Sequence, residues 1–373
     1  MTSGLVLTAV TSLFAGLLAG FVMHRSDFCM AGMFRDLYLF RGTFMLRILV
    51  LAVAVAMGFL EIARQAGYVF QFPFPGYGLP AMTTIAGGAL FGVGMVLAGG
   101  CVVGTLYKMG SGKFISMSAF MGLLAGSAAY AVVYPYWAQL ASKTRLPVGF
   151  ETLAGMTGLP QRRVIAGALL LLGLPLFVWL RAGLLVRKSC TIGYLQPWIT
   201  AVVLAVIVTV SVVVIGVPLG ITTSYAKIGA WIQQLFMPEY VQGLGYFKTL
   251  PFRYNNPCLS ITYSGGPGPL ADSISLVQFP LLVGVVAGGF FSSLLLKEFR
   301  FYWRIPLRQV VLGFVGGAIM GLAARMAPSC NLWHLLGGLP ILATQSLLFV
   351  LGLLPGTWLG CRILTDVVLR ETH

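Results

Sequence analysis

Apolar residues run along this chain in stretches of about 20, separated by short polar or basic segments, and each stretch is long enough to cross a hydrocarbon core of roughly 30 Å as a helix. Nine spans are predicted, at 4–23, 43–63, 83–105, 114–137, 163–182, 198–218, 276–297, 307–327 and 341–361. The pattern predicts an all-α polytopic membrane protein. The longest connection, 219–275, carries aromatic residues, Pro and Gly, with a short amphipathic helix predicted at Ala226–Phe236. A connection of that length inside a compact protein is usually functional.

Composition sharpens this picture. Of 373 residues, 58% are hydrophobic and 9% charged, against roughly 25% charged in soluble domains, which excludes a water-soluble globular protein. The 47 glycines lie throughout the apolar stretches and predict close helix contacts or interrupted helices; Gly88xxxGly92 and Gly313xxxGly317xxxGly321 read as packing faces. The first apolar stretch has no basic residue ahead of it and no small-residue cleavage site after it, so it reads as a retained span.

The net charge of +15 comes from 24 Lys and Arg scattered between spans, without the basic patch of a nucleic-acid binder. Arg25, Arg35, Arg41 and Arg47 follow the first span, and Lys297, Arg300, Arg304 and Arg308 follow the seventh. Arg187, Lys188, Arg362 and Arg370 fall on the same side. The positive-inside rule then places the N-terminus outside and the C-terminus in the cytoplasm, although Lys143, Arg145, Arg162 and Arg163 oppose that orientation. No GxxxxGK loop is present, which argues against direct use of ATP.

Shifting the sequence by 229 residues superimposes Gly87, Gly88, Ala89, Gly92, Ala98, Cys101 and Leu106 on Gly316, Gly317, Ala318, Gly321, Ala327, Cys330 and Leu335. The same shift carries Cys29 onto Cys258 and Asp27 onto Asn256. This reads as an internal duplication: residues 1–137 form a first repeat of four spans, 138–197 a linking span with its loops, and 198–373 a second repeat of four. The odd linking span inverts the second copy, a construction typical of secondary transporters whose discontinuous helices carry the substrate ligands. Ala98-Gly99-Gly100 and Ala327-Pro328-Ser329 place helix-disfavouring residues directly before Cys101 and Cys330, so a break is expected at each. By the same symmetry, Cys29 and Cys258 are expected to dip inward from opposite faces.

Six cysteines are present, without CxxC or a His partner at zinc spacing, so neither a metal site nor another cofactor is expected. Cys190 and Cys361 lack repeat partners and read as packing residues. Cys29, Cys101, Cys258 and Cys330 are expected to form a file of thiols, weak donors able to pass a soft sulfur anion without gripping it. Arg325, five residues before Cys330, is a candidate for attracting the anion. Lys108 and His334, with Trp333, are further candidates, expected near the mouths of the path.

Phe28-Cys29-Met30-Ala31-Gly32 with Arg35-Asp36, Gly99-Gly100-Cys101-Val-Val-Gly104-Thr105, and Ser329-Cys330-Asn331 resemble the cysteine motifs of the YeeE/YedE family of sulfur-compound transporters, over nearly the whole chain. The resemblance implies a bacterial inner-membrane protein that takes up thiosulfate, with Cys29, Cys101 and Cys330 handing the anion inward through transient S–H···S contacts; Cys258 departs from that pattern. Alternatives are a selenium or other sulfur species as solute, a membrane thiol-disulfide oxidoreductase, or a component that docks a soluble sulfur-carrier protein at the basic cytoplasmic face. A transporter rather than an enzyme is the expectation.

Overall fold

The apolar stretches fold as helices because a backbone in lipid must satisfy its own hydrogen bonds. The computed structural model describes residues 2–368 apart from positions 78, 189–192, 258 and 303. The first half contains α1 (Thr2–Ser26), α2 (Met30–Phe40), α3 (Phe44–Gln65), α4 (Thr83–Leu97), α5 (Val102–Gly110) and α6 (Phe114–Lys143). A short α7 (Leu153–Thr157) and the linking α8 (Gln161–Arg181) follow. The second half contains α9 (Pro197–Val214), α10 (Thr222–Phe236), α11 (Pro238–Gly243), α12 (Gly245–Lys248), a hairpin of β1 (Phe252–Asn256) and β2 (Ile261–Gly265), α13 (Ser273–Leu295), α14 (Leu307–Met326) and α15 (Thr344–Val368). Between α14 and α15 the chain winds as a π-helix (Trp333–Gly338) and one 3-10 turn (Leu339–Ile341). Among the described residues nine helical segments are long and apolar enough to cross a membrane. The protein is an all-α polytopic membrane protein.

Helix partners exchange between the halves. Matching α1, α2, α3, α4, α5 and α6 to α9, α10, α13, α14, the π-helix and α15, every principal contact has a counterpart. α1 packs on α13 and α9 on α3; α6 packs on α14 and α15 on α4; α2 touches α15 and α10 touches α6; α1 meets α5 and α9 meets the π-helix. The matched pair α4 and α14 cross antiparallel. Gly94 lies where an added Cβ would meet Met320 N at 2.6 Å, and Gly87 where it would meet Ala327 N at 2.7 Å. Equivalent helices therefore run in opposite directions.

Glycines make these contacts possible by letting backbones approach. Gly16 and Gly20 of α1 lie on the α13 backbone at Leu281 and Val285, Gly88 and Gly92 of α4 on α15, and Gly317 and Gly321 of α14 on Ala119 and Leu123 of α6. The glycine motifs singled out in α4 and α14 are thus helix seams. α8 has no matching partner: it packs mainly on α3, and Leu170, Leu171 and Leu174 are exposed.

The second half differs from the first by an insertion. The shift of 229 holds from α3, which starts at Phe44, to α13, which starts at Ser273; α2 at Met30 and α10 at Thr222 are only 192 residues apart. α11, α12 and the hairpin fill the extra chain. This corrects the expected pairing of Cys29 with Cys258. Cys29 caps α2, whereas the residue capping α10 is Ile221. Position 258 lies outside the described residues, and the strands on either side of it form a β-hairpin rather than a helix start. The helix predicted at Ala226–Phe236 is present and begins four residues earlier.

Candidate functional site

Each of the three described repeat-associated cysteines occupies the same local position. Cys29 is the N-cap of α2 and Cys101 the N-cap of α5, both in extended conformation. Cys330 directly precedes the helical turn that opens at Asn331. In each case the cysteine carbonyl accepts the first bond of the new helix: Met33 N to Cys29 O at 3.0 Å, Thr105 N to Cys101 O at 2.7 Å, and His334 N to Cys330 O at 3.0 Å. A thiol at this position sits beside unpaired N–H groups at the positive end of a helix.

The breaks arise where the sequence disfavours a helix. Gly99 takes φ +70°, and Ser329 is held at φ 99°, a conformation costly for a residue with a side chain. Pro328 has no N–H to continue α14. The two breaks also seat on one another's partner helix, Ala327 against Gly87 of α4 and Ala98 against Gly316 of α14.

Cys29 and Cys101 bring their sulfurs to the same spot, on either side of Gly104. An added Cβ on Gly104 would lie 3.2 Å from both sulfurs, and Gly104 N donates to Cys101 Sγ at 3.2 Å. Lys108, one turn on in α5, reaches back to the break: its Nζ donates to Gly99 O at 3.0 Å and lies 3.9 Å from Cys29 Sγ. Cys101 and Cys330 are 1% and 0% exposed. Tyr225, fully buried at the start of α10, sits within electrostatic reach of both sulfurs and approaches Val102 O at 3.5 Å.

Two cavities flank this buried thiol region. One, of about 360 Å³, is lined by Cys29, Asp27, Arg35, Asp36, Lys108, Arg187, Lys188 and Tyr194. The other, of about 260 Å³, is lined by Arg325, Thr223, Gln278, Ser329, Trp333, Tyr130, Tyr134 and Tyr246 among others, with no acidic side chain among the described residues that line it. They lie on opposite faces. The first collects the end of α1 and the end of α5, the second the start of α13, and α1 and α13 run parallel because Gly16 meets Leu281 while Gly288 meets Leu17 and Phe21.

Of the charged candidates, Lys108 lines the first cavity and Arg325 the second. Arg325 Nη1 is 3.4 Å from Thr223 Oγ1, its Nε has no hydrogen-bond partner, and no described carboxylate pairs with it. His334 departs from expectation. It is completely buried, hydrogen-bonded through Nδ1 to Ser346 Oγ at 3.0 Å and stacked on Phe349 at 4.2 Å, so it lines neither cavity. The π-turn rotates the imidazole away while its neighbour Trp333 faces the second cavity, with its carbonyl held by Tyr77 Oη at 2.8 Å. Cys361 is buried on α15 and lines neither of these two cavities; Cys190 lies outside the described residues. Among those described, no cluster of His, Cys, Asp and Glu suits a metal ion.

The sequence reading passed over Tyr225, Tyr107 and Asn331. Tyr107 is buried beside Cys29, and both side-chain polar atoms of Asn331 are buried without a partner directly after Cys330. Asn331 carried a signal, a polar residue directly after a candidate thiol, whereas Tyr107 and Tyr225 lie more than a helical turn from any cysteine in the sequence and carried none.

Two antiparallel-matched halves, helices broken at buried cysteines and a cavity on each face define a membrane protein with the architecture of a transporter. The chain belongs to the sulphur transport family, which matches residues 25–359. It is similar to the thiosulfate transporter TsuA of Spirochaeta thermophila, with 29% identity over 365 residues, 95% of this chain and 98% of that protein. It is also similar to the thiosulfate transporter TsuA of Escherichia coli, with 37% identity over 119 residues, 32% of this chain and 33% of that protein. A probable transporter of the same organism, YedE, is 29% identical over 126 residues, 33% of this chain and 28% of its own length.

Proposed function

We propose that this protein takes up thiosulfate across a bacterial inner membrane, passing it along Cys330, Cys101 and Cys29. The observation that carries this reading is the repeated placement of a buried thiol at the start of a helix beside a break, between cavities on opposite faces. A neutral thiol is a weak donor, so each S–H can meet the terminal sulfur of the anion and let it go, while the adjacent helix start supplies positive potential without a fixed counter-ion. Arg325 attracts the anion into one cavity and Lys108 receives it at the other.

Direction follows from charge. Arg35, Lys108, Arg187 and Lys188 line the Cys29 cavity, and Arg25 and Lys297 stand at the ends of α1 and α13 on that face, which favours a cytoplasmic position for it and an external one for the Arg325 face. The N-terminus is then outside and the C-terminus inside. The chain is two inverted copies joined by α8, with the first copy ending near residue 137 and the second starting near 198. The basic cytoplasmic face also offers a place for a soluble sulfur-carrier protein to collect the product.

The test is uptake of radiolabelled thiosulfate into sealed proteoliposomes containing no redox acceptor and no partner protein. Cys101→Ala and Cys330→Ala are each expected to reduce uptake to background while the protein stays monodisperse in detergent. Wild-type rates in both variants would end the relay reading. A requirement for an electron acceptor would favour a thiol oxidoreductase instead.

A further inference from the structure

We propose that Cys29 and Cys101 also form a redox switch, closing into a reversible disulfide that shuts the path when the cell side meets an anionic disulfide-type oxidant. Three observations carry this. The two sulfurs flank the same missing side chain, 3.2 Å each from the Cβ position of Gly104, with no other residue's atoms as close to that point. Both are free thiols at extended N-cap positions rather than within regular helix, so a bond between them breaks no helical hydrogen-bond ladder. Only one of them is reachable: Cys29 lines the cavity of about 360 Å³, and Cys101 lies behind it.

That cavity also selects the reagent. Arg35, Lys108, Arg187 and Lys188 line it against Asp27 and Asp36, an excess of positive charge that draws in anions. The oxidant must therefore be small, anionic and carry an S–S bond; tetrathionate, the oxidised dimer of thiosulfate, has these properties. Cys29 gives up its proton, and its sulfur attacks one of the two central sulfurs, breaking the central S–S bond, forming a sulfenyl thiosulfate in which Cys29 Sγ is bonded to the inner sulfur of an S–SO3 group, and releasing one thiosulfate. Cys101 then gives up its proton and attacks the Cys29 sulfur, forming the protein disulfide and releasing a second thiosulfate. Two thiols are oxidised by two electrons, one tetrathionate is reduced to two thiosulfates, and two protons go to water. Cys330 makes no thiol contact of this kind among the described residues and stays out of the exchange.

Closure of transport rests on the relay reading, since the disulfide removes two S–H donors from the path; formation of the bond does not. The full chain in detergent is treated with tetrathionate, freed of reagent and divided. One portion is digested and mapped by mass spectrometry, and the other is reconstituted with and without dithiothreitol. The expected result is a Cys29–Cys101 linked peptide in wild type and in Cys330→Ala, its absence in Cys29→Ala and Cys101→Ala, and a tenfold or greater loss of wild-type uptake that dithiothreitol restores. Free thiols after saturating reagent, or a link to another cysteine, would overturn the proposal and leave the relay standing if Cys101→Ala still abolishes uptake. A stoichiometric link with undiminished uptake would overturn the switch and the relay together.

Discussion

A methyl group at Gly104 would press on two sulfurs at once, each at 3.2 Å, several tenths of an ångström inside ordinary contact. Both thiols would have to move apart, although nothing else in α5 need change. Gly104→Ala is therefore expected to lower thiosulfate uptake about tenfold while the melting temperature in detergent moves little. Arg325 poses a different question, because its charge has no described carboxylate partner and lines a cavity with no acid among the described residues around it. Losing a ground-state attraction raises KM before it lowers the maximal rate. Arg325→Gln should raise the KM for uptake severalfold, and Arg325→Lys should do less if charge alone matters; an unchanged concentration dependence would remove Arg325 from the path. His334 belongs to stability: His334→Ala should cost about 2–4 kcal/mol through the lost Phe349 stack and an unpaired Ser346, with the folded fraction transporting normally.

These residues also mark what could be read before the structure. Cys101 and Cys330 were legible because a duplicated spacing put each beside residues that cannot continue a helix. His334 was not, since which way a ring points from a π-turn depends on Ser346 and Phe349, both on α15. Tyr225 was hidden by position: it lies one residue before the segment whose amphipathic pattern was visible.

Among the elements, α10 depends on an ion pair. Lys227, 1% exposed, donates to Asp272 Oδ2 at 2.7 Å, Leu270 O at 2.7 Å and Gly268 O at 3.2 Å, and Asp272 in turn caps α13. Breaking a buried pair by removing one partner typically costs about 3–5 kcal/mol. Lys227→Met is expected to fall in that range by thermal unfolding in detergent, with Lys227→Met/Asp272→Asn recovering part of the loss. The failure of the Cys29–Cys258 match has its cause at this scale too. A constant offset assumes equal connections, whereas the second half inserts α11, α12 and a hairpin between α10 and α13, so an arithmetic coincidence of cysteines crossed a structural gap. The nine spans and both helix breaks survived because hydrophobic length and Gly or Pro are local signals.

For the whole molecule, the exchange of partners between halves limits how it can move. α1 is seamed to α13, α6 to α14 and α4 to α15, so neither half is a rigid body free to rock against the other. The seams oppose any parting of the two halves, which leaves the breaks and the short segments that follow them as joints. Cross-linking α1 to α13 through cysteines introduced at their lipid-facing edges should therefore leave uptake within about twofold of wild type, whereas a carrier that rocks one half against the other would be frozen. The same arrangement fixes sidedness: a membrane-impermeant thiol reagent supplied on the cytoplasmic side should label Cys29, and the same reagent supplied outside should not.

The interlocked seams have a consequence for synthesis. Gly16 and Gly20 of α1 find their backbone partners at Leu281 to Val285, about 260 residues later. At roughly 5–20 residues per second, the ribosome needs something like 13–50 s to deliver them. Throughout that interval α1, α4 and α6 stand in the bilayer with glycine-lined faces that only lipid can cover. The nascent first half must thus wait in an open form until the partners of its glycine faces have been made.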